Sequence, residues 1–301
     1  MAKNNRWTSK NIPDMSGKIA LITGANSGIG YEAARALAVK GAMVIMACRS
    51  QQKGDSAAQN IENEGPLREV AVMQLDLADL SSVRQFAQDF HSNYDKLDIL
   101  VNNAGVMAIP YQKTADGFEM QFGTNHLGHF ALTGLLLDRL LQTENSRVVT
   151  VSSTAHTMGQ VDFDNLNSER SYTRWGAYGL SKLANLLFAY ELQRKLSAAG
   201  SSALSTAAHP GYSATNLQRS SLVFRLLNPI IAQSQEMGAL PMLYAATDPN
   251  IIGGDYIGPD RWGGWRGYPT KVQSNRASHN EAIAKRLWEV SESLTGVSYS
   301  F

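Results

Sequence analysis

Short runs of apolar and β-branched residues recur at 18–23, 42–48, 70–74, 97–101, 147–151, 204–209 and 255–257, and a helix-length segment lies between most of them. Strands that are apolar at successive positions, and not only at alternate ones, belong to a sheet covered on both faces. Their alternation with helices predicts parallel pairing, because right-handed crossovers place helices on each side. The pattern predicts an α/β fold: a doubly wound parallel sheet ordered 3-2-1-4-5-6-7, in a single domain over residues 1–301 with its core at 15–295. A helix at 29–39 carries Ile29, Ala33, Ala36 and Leu37 on one side and stops at Gly41, the residue type a helix C-terminus favours. A second, at 81–90, opens on a cap at Ser81 and buries Val83, Phe86 and Phe90. Residues 130–141, broken by Asp138 and Arg139, read as a buried helix, and 281–294 as the last one.

Two stretches break the rhythm. Leu217, Leu222, Val223, Phe224, Leu226 and Leu227 cluster without capping signals, so 212–233 is expected to be an insertion acting as a substrate lid. Residues 222–231 also admit a lipid-surface or subunit contact. The Gly- and Pro-rich stretch 253–269 reads as ordered loop around its short strand.

Composition narrows the function. With 27 basic and 26 acidic side chains, a net charge of +1 and no block of like charge, the chain offers no stripe for nucleic acid. Cys48 is the only cysteine, which excludes an internal disulfide and a cysteine-based zinc site and favours a reducing compartment. Residues 1–16 lack the roughly seven-residue apolar core of a signal peptide. No apolar run approaches the roughly 18 residues of a membrane span, so a cytoplasmic protein is expected.

The chemistry is concentrated at strand ends. Thr23-Gly24-Ala25-Asn26-Ser27-Gly28-Ile29-Gly30 leaves the first strand and opens a helix, where glycines let backbone N–H groups approach a pyrophosphate. The spacing is G-x-x-x-G-x-G and not the ordinary dinucleotide fingerprint, so on its own it could be only a tight turn. The second strand ends in Arg49, where an acid would be expected to hold a ribose hydroxyl of NAD. An arginine there pairs with a 2′-phosphate and favours NADP(H) over NAD(H), unless it is an ordinary solvated charge; Lys53, one turn on, could assist.

Tyr178 and Lys182 stand one helical turn apart and share a face, 25 residues after Ser153. Lowering a phenol from a pKa near 10 to about 7 takes roughly 4 kcal/mol, and a nearby ammonium acts in that direction. Tyr178 would then exchange a proton while Ser153 donates to the substrate oxygen. With 11 tyrosines and 11 lysines, Tyr-x-x-x-Lys arises by chance about 0.4 times. Weight therefore comes from Ser153 and Asn102-Asn103-Ala104-Gly105, at strand ends where open α/β sheets bind ligands. Ser152 and Ser153 must face opposite ways on a strand, so only one addresses the substrate.

Together these motifs resemble the short-chain dehydrogenase/reductase family over residues 15–295, a Rossmann-type fold. The resemblance implies that Gly24, Asn26, Ser27, Gly28, Ile29 and Gly30 cradle the dinucleotide and that Asp76 and Leu77 flank its adenine. It implies that Asn102, Ala104 and Gly105 support the sheet beside the cofactor, and that Pro210, Gly211 and Thr215 meet the nicotinamide carboxamide. The family's tetrad falls on Asn125, Ser153, Tyr178 and Lys182, selecting Ser153 over Ser152, with Asn125 holding a relay water. The Asn-Ser-Gly loop, Ala47-Cys48-Arg49 and the segments 152–156 and 178–185 resemble the retinol-dehydrogenase-like branch, which usually prefers NADP(H).

The activity so implied is alcohol dehydrogenase or carbonyl reductase chemistry, without metal, on an apolar small molecule: a retinal-like, aliphatic or aromatic aldehyde or ketone. Family habit also implies a homodimer or homotetramer through helix pairs that include 176–196. Met107, His156, Met158, Trp175 and Tyr212 lie near strand ends and are candidates to line the substrate cavity. Two other classes stay open, a non-enzymatic NADP-binding sensor or scaffold and a C=C reductase similar to protochlorophyllide reductases, though the single cysteine weighs against the latter. His126 and His129 lack the further ligands of a metal site, and Ser153 with His156 lacks the G-x-S-x-G elbow of a hydrolase.

Overall fold

The computed structural model describes residues 6–65, 70–212 and 233–301. Thr215, the body of the expected lid and the lipid-contact stretch 222–231 lie outside the described residues. Among the described residues eight strands form one sheet in the order β3-β2-β1-β4-β5-β6-β7-β8. They are β1 (Ile19–Thr23), β2 (Met43–Cys48), β3 (Val70–Gln74), β4 (Ile99–Asn102), β5 (Arg147–Val151), β6 (Leu204–Ala208), β7 (Tyr256–Arg261) and β8 (Arg266–Lys271). The first seven pair in parallel, in the expected order. Strand β8 is an addition, antiparallel to β7.

That eighth strand corrects the reading of 253–269 as loop. Every position of β8 but the last is half-buried and it includes Pro269, so no apolar run marks it; an edge strand tolerates both features. The signal present was the pair Gly263 and Gly264, whose φ angles of 64° and 88° reverse the chain between the strands.

Helices cover both faces: α1 (Gly28–Val39), α2 (Gln51–Glu62), α3 (Leu80–Asn93), a single turn α4 (Met120–Phe122), α5 (Gly128–Leu135), α6 (Leu137–Leu141), α7 (Arg174–Ala198), α8 (Gln235–Thr247) and α9 (Glu281–Thr295). Successive strand residues serve opposite faces. Ala20 and Ile22 join Ala33, Ala34 and Leu37 of α1 and Leu243 of α8, whereas Leu21 joins Val83 and Phe86 of α3 and Phe130 of α5. Helix α3 is capped by Asp79 and not by Ser81, because the Asp79 carboxylate accepts the N–H groups of Ser81 at 2.9 Å and Ser82 at 3.4 Å. The segment 130–141 is split by Leu136 into α5 and α6.

Helix α7 is buried without interruption from Ala177 to Leu192, so it has no solvated face. One flank is closed by α9 and the C-terminal tail, where Phe188 stacks on Trp288 at 5.7 Å between ring centroids and Tyr299 packs against both. The expected pairing of 176–196 between subunits therefore meets a helix already covered by its own chain. Among the described residues no helix is long and apolar enough to cross a membrane.

Candidate active site

The C-terminal ends of the parallel strands open on a cleft of about 750 Å³. At one end lies the glycine loop. Gly24 and Gly28 adopt left-handed φ angles of 67° and 63°, and a Cβ on Gly30 would lie 2.6 Å from both Asn103 Nδ2 and Gly24 O. Ser27, the N-cap of α1, makes no side-chain cap bond, so the first-turn N–H groups keep their capacity for another acceptor. A glycine cradle at an uncapped helix N-terminus fits an anionic pyrophosphate. The Thr23 hydroxyl oxygen accepts the N–H groups of Asn103 and Ala104, each at 2.9 Å, and Asn103 Nδ2 donates to Thr23 O at 2.8 Å. These bonds lock the loop after β4 to the one after β1. Asn103 lines the cleft; its neighbour Asn102 is buried beneath it and donates to Thr133 Oγ1, which removes Asn102 from the cofactor wall.

Asn26, Ser27, Ile29, Asp76, Leu77, Ala104, Gly105, Pro210 and Gly211 all border the cleft. So does Arg49, exposed just past the end of β2. Lys53 is exposed one turn further on and is not part of the wall.

The reacting groups sit midway. Ser153 caps a 3-10 segment, Thr154–Met158, and faces the cleft, whereas Ser152 turns inward and donates to Lys182 O at 2.8 Å. That segment lies tight against α7: a Cβ on Gly159 would come 2.3 Å from Gly179 O, and one on Gly179 would come 3.0 Å from Ala155 O. The two glycines thus bring the Ser153 turn up to Tyr178. Gly159 has an ordinary φ of −74°, so Gly159→Ala acts by steric contact alone. Overpacking of this kind costs about 1–3 kcal/mol. It should lower kcat by about tenfold through displacement of Ser153 while sparing coenzyme affinity, which steady-state kinetics and a coenzyme titration would check.

Tyr178 and Lys182 are nearly buried, with the Lys182 ammonium 5.7 Å from the centre of the Tyr178 ring. Lys182 Nζ donates to Val151 O at 3.0 Å, a carbonyl that Asn185 Nδ2 also reaches at 3.0 Å. Burial pushes the Tyr178 phenol up to about 12, offset in part by the Ser153 hydroxyl, and pushes the Lys182 ammonium down to about 8. The phenol therefore lies above its ordinary value, because desolvation outweighs the Ser153 hydrogen bond. It is held as an acid, the form that donates a proton.

Asn125 lies under the cleft in a π-helical turn, Gly123–Leu127. Its Nδ2 donates to Val106 O and Ser181 Oγ, each at 2.9 Å, its Oδ1 accepts from Val106 N, and Ser181 Oγ donates to Tyr178 O. It bears on the site through these neighbours. His129 donates from Nδ1 to Asn125 O and accepts the Thr23 hydroxyl on Nε2, and His126 Nε2 meets Ser291 Oγ. Burial lowers both imidazoles, to about 4 and about 3, so they are neutral packing groups. Among the described residues no cluster of His, Cys, Asp and Glu could hold a metal ion.

His156 is not on the cleft wall. Its Nδ1 donates to Ser153 O at 2.6 Å and its Nε2 accepts the Asn275 N–H at 3.2 Å, so it braces the serine turn. Met107, Met158, Trp175 and Tyr212 do line the cleft. Gly264 and Trp265, from the β7–β8 hairpin, join them. Sequence reasoning missed these two because a stretch read as loop gave no reason to bring its tip to the strand ends.

The model of the short chain dehydrogenase family matches residues 18–223. Retinol dehydrogenase 12 of Homo sapiens is 45% identical over 291 residues, covering 95% of this chain and 88% of the relative. A crystal structure of an uncharacterised protein from Mycobacterium paratuberculosis superimposes with a TM-score of 0.84 at 45% identity, covering 98% of this chain and 100% of that one. A short chain dehydrogenase from Escherichia coli CFT073 complexed with NADPH is similar at 26% identity and a TM-score of 0.66, covering 81% and 97%.

Proposed function

The chain belongs to the short-chain dehydrogenase family, and on that premise we propose that it is an NADP(H)-dependent oxidoreductase moving a hydride between nicotinamide and the alcohol or carbonyl carbon of an apolar substrate. The observation that carries this reading is the meeting of Ser153, Tyr178 and Lys182 on the wall of the cleft that also holds the glycine cradle. When bound, the coenzyme supplies or accepts the hydride. The protein's own groups do the rest. The glycine loop and the α1 N-terminus would hold the pyrophosphate, and of the other residues on the cleft wall Asp76 and Leu77 would border the adenine and Pro210 and Gly211 the carboxamide, as the resemblance implies. Ser153 donates a hydrogen bond to the substrate oxygen. Tyr178 transfers its phenolic proton to that oxygen in reduction and recovers it in oxidation. Lys182 would hold the ribose hydroxyls of the bound coenzyme and places a cation beside the phenolate that forms. Thr215 is retained as a carboxamide contact on resemblance, and Asn125 as the support of this array.

Met107, Met158, Trp175 and Tyr212 make the substrate end apolar and aromatic, which supports retinal-like or aromatic aldehydes, in keeping with the names of the retinol dehydrogenase relatives. Following NADPH absorbance over a panel of retinal, aliphatic aldehydes, aromatic ketones and quinones tests the reading; a flat signal throughout would favour a binding scaffold.

Arg49 carries the choice of coenzyme. Its exposed position at the end of β2 suits a charge-assisted pair with a 2′-phosphate, worth about 1.5–3 kcal/mol, and a carboxylate there would repel the phosphate instead. Arg49→Asp should lower the NADPH/NADH ratio of kcat/KM by at least about tenfold. An unaltered ratio would remove Arg49 from the argument.

A further inference from the structure

The β7–β8 hairpin reaches back over the end of β6. Tyr212 N donates to Trp265 O at 2.9 Å, and a Cβ on Gly211 would lie 2.5 Å from the same oxygen, so the hairpin is seated directly on the turn that borders the cleft. Gln233 fastens the same corner: its Nε2 donates to Pro210 O at 2.8 Å and its Oε1 accepts the Gly267 N–H at 3.2 Å. The left-handed Gly263 and Gly264 turn the chain so that Trp265 stacks on Tyr212, with centroids 5.7 Å apart and planes 25° from parallel. Both residues line the cleft. Trp175, set edge-on to Tyr178, lines it from α7.

Trp265 is 47% exposed, although large aromatic surface is normally removed from water. A half-bared indole on a cleft wall is a group left for a ligand to cover. Trp265 is held at both its backbone and its ring, so its indole is a preformed surface that costs little ordering on binding.

We propose that Trp265, brought in by the β7–β8 hairpin, is a specificity-determining residue whose indole packs against a flat unsaturated or aromatic group attached to the reacting carbon. The proposal rests on the carbonyl-reductase reading and adds the residue that selects among its substrates. A planar group gains the face of the Trp265 indole, and a short aliphatic one offers it little area.

The test compares wild type, Trp265→Ala and Trp265→Phe with saturating NADPH, and NADH in parallel, using 2-naphthaldehyde and propanal. Trp265→Ala should raise KM for 2-naphthaldehyde by about tenfold with kcat changed less than threefold, and should cost propanal less than threefold. Trp265→Phe should recover most of the loss. Equal losses for both aldehydes, a matching loss of coenzyme affinity or an unchanged KM for 2-naphthaldehyde would each overturn it. Calorimetric titration of the coenzyme-bound protein with 2-naphthylmethanol needs no turnover and separates the two readings. If neither aldehyde is reduced but naphthylmethanol binding weakens about tenfold in Trp265→Ala, the selecting role stands and the carbonyl-reductase reading fails. Equal binding by wild type and variant overturns the selecting role whatever the turnover.

Discussion

Tyr178→Phe is expected to lower kcat by about a thousandfold while leaving the coenzyme dissociation constant within about twofold. The phenylalanine keeps the ring that meets Trp175 edge-on at 6.0 Å and lies beneath the Lys182 ammonium, so packing is retained and only the hydroxyl is lost. A general acid contributes roughly 10²–10⁴-fold, and no other proton donor with the geometry of Tyr178 stands beside Ser153 among the described residues. Because burial pushes the phenol up to about 12, it stays protonated through the neutral range and donates as reduction requires. Rapid-mixing measurement of aldehyde reduction, with a fluorescence titration of the coenzyme, would check both halves. Turnover within tenfold of wild type would remove Tyr178 from the chemistry.

The second large effect is a trade of activity for stability at Lys182. Lys182→Met should abolish turnover, since among the described residues no other cation borders the phenol, yet it should stabilise the coenzyme-free protein. Burial lowers this ammonium from its ordinary 10.5 to about 8, so holding the charge inside costs about 3 kcal/mol. Its one hydrogen bond leaves no orphan when removed, because Asn185 also serves Val151 O. Methionine fills a similar volume, leaving a net gain of about 2 kcal/mol and a Tm higher by several degrees. The sign follows from the folded pKa lying below the unfolded one: the penalty on the wild type is complete below pH 8 and fades as pH rises from 8 to 10.5. The gap between variant and wild type should therefore be widest near neutrality and close in alkali. A constant gap across that range would show that charge burial is not its cause.

Much of this was legible in the chain. Apolar runs such as 42–48, buried on both faces, marked the strands and their order, and the Tyr178–Lys182 spacing placed both groups on one face of α7. What was not legible depended on contacts distant in sequence. Asn102 and Asn103 are neighbours of the same type, and only the Thr133 and Thr23 partners tell the inward one from the one on the cleft. His156 had the position of a pocket residue, but both its ring nitrogens are taken by backbone groups, one of them 119 residues away. The pKa of Tyr178 turned on desolvation, which spacing does not report; only the depth of α7 within the fold does. Strand β8 escaped because an edge strand with a proline has no periodic signature, and Trp265 escaped with it.

The central claim is that Ser153, Tyr178 and Lys182 serve a hydride passing directly between coenzyme and substrate carbon. Reducing retinal and 2-naphthaldehyde with NADPH deuterated at one or the other face of C4, then weighing the product alcohols, tests it most directly. The account predicts that one deuterated form, and not the other, delivers its label to the carbinol carbon. Unlabelled alcohol from both forms, or no alcohol at all from protein with NADPH bound, would contradict it.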